Sequence, residues 1–245
     1  MNTNWTEHNI AELFDAYDDW VENTFGYQPL IADLTCSHGK EINVLDYGCG
    51  SGKVARRLRD DGFDYVTGVD ISPTMIEKAI SAGGNHLHFE QIHSSNLPFS
   101  DNSFEAAISC FLFINIPERR ELVRIATEVM RVLKPGGSYY ILDTHPQTTG
   151  VDYPTYRNGE HGISYQDGDN RPVYLTIPGR KQPLEIVDKQ WDLSTYRHTF
   201  AAAGLTLTTE RSLPFDNSKL PAHTNEFLSL QDTTPYILLR ATKSK

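Results

Sequence analysis

Val44-Leu45-Asp46-Tyr47-Gly48-Cys49-Gly50-Ser51-Gly52 is the stretch that decides the reading of this chain. It begins apolar, as a buried strand does. It then turns on three glycines at alternate positions and runs into Lys53-Val54-Ala55-Arg56-Arg57-Leu58, which reads as a helix. A strand, a glycine turn and a helix N-terminus gather backbone N–H groups around one small space. Glycine lets the backbone take φ > 0 and approach a ligand closely. A ligand lying across this turn is the first expectation.

Strand and helix patterns alternate on either side of it. Ile42–Asp46 is read as strand one, and helix 53–61 ends at Gly62. Tyr65–Asp70 is strand two. Ser72-Pro73 opens a helix, with Ser72 as N-cap and Pro73 at the first helical position. Leu87–Ile92 is strand three, and Phe104–Cys110 is apolar enough for a central parallel strand. A helix from Pro117 stops at Lys134-Pro135-Gly136-Gly137, and Ser138–Asp143 is strand five. Five alternations predict a parallel sheet with helices on both faces. Before this core, residues 5–34 read as two helical pieces broken at Gly26 and Pro29. Leu13, Phe14, Tyr17, Trp20, Val21 and Phe25 form the apolar face, and Asp15, Asp18, Asp19 and Glu22 the outer one. After it, residues 146–190 lose the helical period. Ile163–Tyr165, Val173–Ile177 and Leu184–Trp191 read as short strands of a small antiparallel insertion. A helix at 194–203, a strand at 205–208, an irregular stretch at 212–233 and a last strand at 235–240 close the chain.

Composition narrows the partners. The 245 residues carry a formal charge of −10, a poor match to a phosphate backbone, so no nucleic acid is expected. The Arg56, Arg57 and Arg59 cluster reads as a solvated helix face. No stretch is apolar enough to span a membrane, and Met1–Glu7 lacks the basic start and apolar run of a secretory signal. Cys36, Cys49 and Cys110 have no zinc-type spacing, so no metal is expected. A reduced, cytoplasmic setting suits them.

Ligands of an open parallel sheet bind off the carboxyl ends of its strands. The groups there are Asp46 with Gly48, Cys49 and Gly50; Asp70; His93, Ser94, Ser95 and Asn96; and Cys110 to Phe113. A carboxylate after strand two can accept from both hydroxyls of a ribose. Ile71, Met75 and Leu97 can sandwich a flat base. The glycine spacing is G-x-G-x-G, not the G-x-G-x-x-G of a pyrophosphate clamp. Asp46 directly before it repels pyrophosphate and suits a cationic ligand.

Asp46–Gly52 resembles motif I of the class I S-adenosylmethionine (SAM)-dependent methyltransferases. Val69–Met75 is similar to their second motif, Leu97–Glu105 to the approach to their fourth strand, and Glu128–Gly137 to their late helix and turn. The resemblance implies a Rossmann-like α/β fold with a seven-stranded sheet whose last strand is antiparallel. It also implies SAM as cofactor and methyl transfer to a nucleophile. One domain over 1–245 is expected: an N-terminal helical cap (1–40), a SAM-binding core (41–145), the β insertion as lid (146–192) and a C-terminal core (193–245). Tyr17, Asp46, Gly48, Cys49, Gly50, Asp70, Ile71, Met75, His93, Ser94, Ser95, Cys110 and Phe111 are the expected cofactor residues. His93 stands where the family carries an aspartate against adenine; a neutral imidazole nitrogen can accept that one hydrogen bond, or alternatively Ser94 or Ser95 does that work.

The sulfonium methyl is already activated, and the protein mainly aligns and desolvates. A base is needed where the acceptor carries a proton of high pKa. His145, after strand five, is the candidate base. Trp20, Asn115, Tyr165 and Trp191 are candidates for the acceptor pocket. An aromatic-rich, roofed pocket suits a small aromatic or heterocyclic metabolite methylated on N or O. A SAM-binding protein that does not methylate is the alternative function. Short strands in the insertion make a homodimer a candidate assembly.

Overall fold

The computed structural model describes residue 3 and residues 8–221 and 225–245. The predicted helical stretch from residue 5 therefore begins partly outside the described residues. Seven strands form the main sheet in the order β3-β2-β1-β4-β5-β10-β9. They are β1 (Asn43–Tyr47), β2 (Tyr65–Asp70), β3 (Leu87–Gln91), β4 (Phe104–Cys110), β5 (Leu133–Thr144), β9 (Leu205–Leu213) and β10 (Tyr236–Lys243). β1 pairs in parallel with β2 and β4, β2 with β3, and β4 with β5. β10 runs antiparallel to both β5 and β9. The seven-stranded sheet and its antiparallel last strand match the expectation. The order reverses between β1 and β4, so the crevice of the fold opens there, beside the glycine turn.

Helices cover both faces. α4 (Lys53–Asp60), α5 (Pro73–Ala82) and the N-terminal helices pack one apolar cluster, with Val44, Val66, Ile108 and Leu142 beneath them. α6 (Arg119–Val132) and α7 (Leu193–Ala202) pack the other, over Leu45, Val69, Ala107 and Ile141. Two of the resembling motifs hold each other. Arg131 on α6 donates to the carbonyls of Leu97 (3.0 Å) and Phe99 (2.8 Å), and Glu128 accepts from the Leu97 N–H at 3.0 Å. That clasp fixes the loop leading into β4.

The N-terminal helices differ from the predicted pattern. α1 (His8–Asp15) ends before the bend at residues 16–19. α2 (Trp20–Glu22) then runs without a break through a π turn (Asn23–Tyr27) into α3 (Gln28–His38), so Gly26 and Pro29 lie inside a continuous helical rod. Proline lacks the N–H of an α-helical bond and crowds the carbonyl four residues back, here that of Phe25. The wider π turn contains that carbonyl and accommodates both defects. Gly26 is small because the rod presses on β5: a Cβ there would lie 3.1 Å from Leu142 Cδ2.

The insertion between β5 and α7 is a separate antiparallel sheet in the order β6-β7-β8: β6 (Tyr156–Asn158), β7 (Asn170–Leu175) and β8 (Leu184–Lys189). Its first strand is not the predicted Ile163–Tyr165. Ile163 is exposed, and the Tyr165 hydroxyl accepts from the Glu160 N–H at 2.9 Å in a turn. Tyr156 and Asn158 are buried instead. Arg171, itself buried, ties the insertion to the core by donating to Thr144 Oγ1 at 2.8 Å.

Candidate active site

The glycine turn owes its shape to hydrogen bonds that join β1 to β2. The N–H groups of Gly48 and Cys49 both donate to the Val69 carbonyl, at 2.8 and 3.0 Å. The Gly50 N–H donates to Asp70 Oδ2 at 2.9 Å, and the Ser72 N–H to Asp70 Oδ1 at 2.8 Å. Gly48 and Gly50 have φ of +82° and +52°, which side-chain-bearing residues rarely adopt. At Gly48 the room is also taken, because a Cβ would meet Leu112 Cδ1 at 2.8 Å. At Gly50 a Cβ would meet no protein atom within 4 Å, and the space left clear there adjoins a cavity.

That cavity has a volume of about 450 Å3. Asp46 is buried on its wall, and its Oδ2 has no hydrogen-bond partner among the described residues. Burial pushes the Asp46 carboxyl up to about 7, and the nearby Asp70 charge adds to the effect. Burial also raises Asp70, against the backbone N–H bonds that favour its ionised form. All thirteen expected cofactor residues line this one cavity: Tyr17, Asp46, Gly48, Cys49, Gly50, Asp70, Ile71, Met75, His93, Ser94, Ser95, Cys110 and Phe111. His93, Ser94 and Ile71 are exposed and stand at its rim. Burial pushes the Cys49 thiol well up, so it is a small neutral wall residue rather than a thiolate.

The N-terminal segment crosses the turn. Ser51 donates to Asp15 Oδ1 at 2.7 Å, and Lys53 donates to the carbonyls of Asp15 (2.8 Å) and Tyr17 (3.1 Å). Arg57 pairs with Asp19 at 2.7 Å and lies over the Tyr27 ring. Arg57, in the arginine cluster read as a solvated helix face, and Asp19, on the outer acidic face, thus join the two segments, whereas Arg56 donates to the Ser51 carbonyl and Arg59 pairs with Asp60. Glu22, the fourth acid of that face, is buried on the cavity wall, where Tyr17 donates to its Oε1 at 2.7 Å. The sheet insertion closes the cavity with Tyr156, Asn158, Val173, Leu175, Ile186 and Asp188. Glu22, Asn158 and Asp188 were not legible as site residues, since only the tertiary packing turns them inward.

Four candidates lie elsewhere. His145 is buried, but its Nε2 is bonded to Ser212 Oγ at 3.0 Å and its Nδ1 accepts from the Gln147 N–H at 3.2 Å. The ring is a structural tie behind β5, not part of the cavity wall, and burial lowers its pKa. Trp191 donates its indole N–H to the Phe113 carbonyl at 3.0 Å and packs in the cluster with α6 and α7. Tyr165 caps its own turn, and Trp20 packs on the N-terminal cluster. Of the acceptor-pocket candidates, Asn115 lines the cavity, with its Nδ2 donating to the Phe111 carbonyl at 2.6 Å.

A methyltransferase-domain family model matches residues 44–137. An N-demethylindolmycin N-methyltransferase of Streptomyces griseus is 32% identical over 226 residues, which is 87% of this chain and 92% of that protein. A ubiquinone/menaquinone biosynthesis C-methyltransferase of Desulfotalea psychrophila is 36% identical over 113 residues, 45% of each chain. The crystal structure of a SAM-dependent methyltransferase from Clostridium acetobutylicum superposes with a TM-score of 0.66 at 15% identity, over 96% of this chain and 98% of that one. The chain belongs to the class I SAM-dependent methyltransferases. Its cofactor is SAM, and the site fits that molecule chemically. Asp46 has one buried oxygen, without a partner among the described residues, to offer a cation, and Asp70 keeps lone pairs for ribose hydroxyls.

Because Asp46 titrates at about 7, SAM affinity should rise as pH goes from 5.5 to 7, by at most about tenfold per unit. Binding at pH 6 should release a proton, measurable by calorimetry in two buffers of different ionisation enthalpy, and Asp46→Asn should abolish that release. The ligand-free fold should lose stability over the same range. Glu22, Asp46 and Asp188, each raised to about 7 by burial, bind protons in the folded state that the unfolded chain has already lost. His145→Ala should lower the thermal midpoint, through the loss of about 1 kcal/mol of hydrogen bonding, and leave the methyl-transfer rate within about threefold. A loss of two orders of magnitude in rate at unchanged SAM affinity would return His145 to the chemistry.

Proposed function

We propose that this methyltransferase acts on a nitrogen or oxygen of a small aromatic or heterocyclic molecule, held between the glycine turn and the three-stranded insertion. The observation that carries this reading is the shared cavity. Cofactor-side groups (Gly50, Asp70, Met75) and roof groups (Phe111, Tyr156, Val173, Leu175, Ile186) line one space. Its volume lies in the range of small-ligand sites. The S. griseus relative is named as an N-methyltransferase of a small molecule, which supports the same class of acceptor.

SAM, when bound, would supply an electrophilic sulfonium methyl to the acceptor's lone pair. The chain's part is alignment and exclusion of water. Phe111 is placed for this at a cost. Its φ is +54°, held by its N–H bond to the Leu142 carbonyl (2.7 Å) and the Asn115 bond to its own carbonyl. A non-glycine residue in that region stores about 1–3 kcal/mol, and such strain clusters at functional sites. It presents an aromatic ring to the cavity just where β4 ends.

Incubation with SAM and a panel of phenols, N-heterocycles and aryl-alkylamines should yield S-adenosylhomocysteine and a methylated product, read by mass spectrometry. SAM binding with no transfer to any of them, or to host extract, would sink this reading and favour a SAM-binding protein that does not methylate.

A further inference from the structure

Glu22 is only 7% exposed, and among the described residues its Oε2 makes no hydrogen bond of good geometry, the Tyr236 hydroxyl lying beside it. It is set among aromatic rings. Tyr17 donates to its other oxygen and lies 2.9 Å from the Thr155 hydroxyl. Tyr17, Tyr27, Phe111 and Tyr156 all line the cavity that Glu22 faces. Tyr27 meets Phe111 edge-on at 5.9 Å, Phe111 meets Tyr236 edge-on at 5.4 Å, and Tyr236 stacks on Tyr156 at 5.9 Å. The rings form one continuous arc. The charged and titratable groups around Glu22 are Asp19 and the tyrosines 17, 27, 156 and 236. The nearby Arg57 guanidinium is paired with Asp19.

An ionised carboxylate has only acceptor sites to offer, and aromatic faces attract cations. A hydroxyl could satisfy the first feature but gains little from the second. A carboxylate ligand would be repelled by Glu22 and by Asp188, whose Oδ1 is also buried on this wall without a partner among the described residues. A protonated amine satisfies both.

We propose that Glu22, held by the Tyr17 hydroxyl beside the arc of Tyr27, Phe111, Tyr236 and Tyr156, binds the methyl acceptor through a protonated amine and takes the proton that frees its nitrogen. The proposal rests on the reading of the chain as a small-molecule methyltransferase, and it narrows the acceptor to a basic amine. The step is a proton transfer. The N–H bond of the ammonium breaks with its electron pair left on nitrogen, an O–H bond forms at Glu22 Oε2, and the proton later passes to water. One proton is released per turnover. A carboxyl raised by burial to about 7 suits this role, since it both accepts and releases a proton near neutrality.

The test is binding to the full chain loaded with S-adenosylhomocysteine, which is independent of turnover. Matched pairs are titrated by calorimetry: phenethylamine with 2-phenylethanol, tryptamine with tryptophol, histamine with imidazole-ethanol. At least one amine should bind tenfold or more tightly than its alcohol. Glu22→Gln should bring that pair within about threefold while S-adenosylhomocysteine binding is kept, and Glu22→Asp, which keeps the charge, should retain part of the preference. The wild-type preference decides the matter even if Glu22→Gln fails to fold. The absence of any amine preference, or a full preference surviving in a folded Glu22→Gln, overturns the proposal. Amine preference without methyl transfer to any acceptor would instead count against the methyltransferase reading and leave Glu22 as the amine-binding group.

Discussion

The Asp70 carboxylate, accepting one backbone N–H from Gly50 and one from Ser72, is the constraint on which the rest of the site depends. It couples the glycine turn after β1 to the start of α5 after β2. Hydrogen bonds to a charged group contribute about 1.5–3 kcal/mol each, and here two converge on one side chain. Ser72, fully buried, caps α5 through the Met75 N–H, so the helix that carries Met75 to the cavity is fixed by the same corner. The turn cannot shift without breaking β2 from its loop. The left-handed conformations of Gly48 and Gly50 are thus imposed by tertiary bonds, and glycine is what makes them tolerable.

A second constraint is electrostatic. Asp46, Asp70, Glu22 and Asp188 border one cavity, and the first, third and fourth each keep an oxygen with no partner among the described residues. Buried unpaired carboxylates are costly, and the ligand-free protein answers by raising their pKa values rather than by adding cations. The buried cation nearby, Arg171, is drawn toward Thr144 and Gln190, and reaches Asp188 Oδ2 only at 3.8 Å. The cavity is therefore built for positive charge. A sulfonium cofactor with an amino group would supply it at the glycine turn, and an amine acceptor at Glu22. Stability spent on these carboxylates returns when ligands bind.

Much of this was legible along the chain because it is local. Alternating apolar runs and helical periods give β1 to β5 with their intervening helices. The G-x-G-x-G turn with Asp46 before it, Asp70 one strand later, the ends of strands three and four and the N-terminal Tyr17 name residues that line one cavity. What was not legible depends on long-range packing. Glu22 follows the helical period of an outer face, yet the insertion and β10 fold over that face and bury it. Pro29 and Gly26 signal a break that a π turn absorbs. Tyr165 and Trp191 are aromatic in the right segment but serve a turn and the opposite core. His145 sits beyond the right strand, but its ring is turned to Ser212. An aromatic or histidine in a loop sequence carries no direction; only the partner that bonds it does.

The measurement that bears most directly on the site is a crystal structure of the full chain with S-adenosylhomocysteine. We expect the ribose hydroxyls on Asp70, the amino group toward Asp46, and the sulfur facing open space bounded by Glu22, Phe111 and Tyr156. A ligand whose ribose lies away from Asp70, or whose sulfur faces solvent with no cavity left between it and Glu22, would contradict the arrangement.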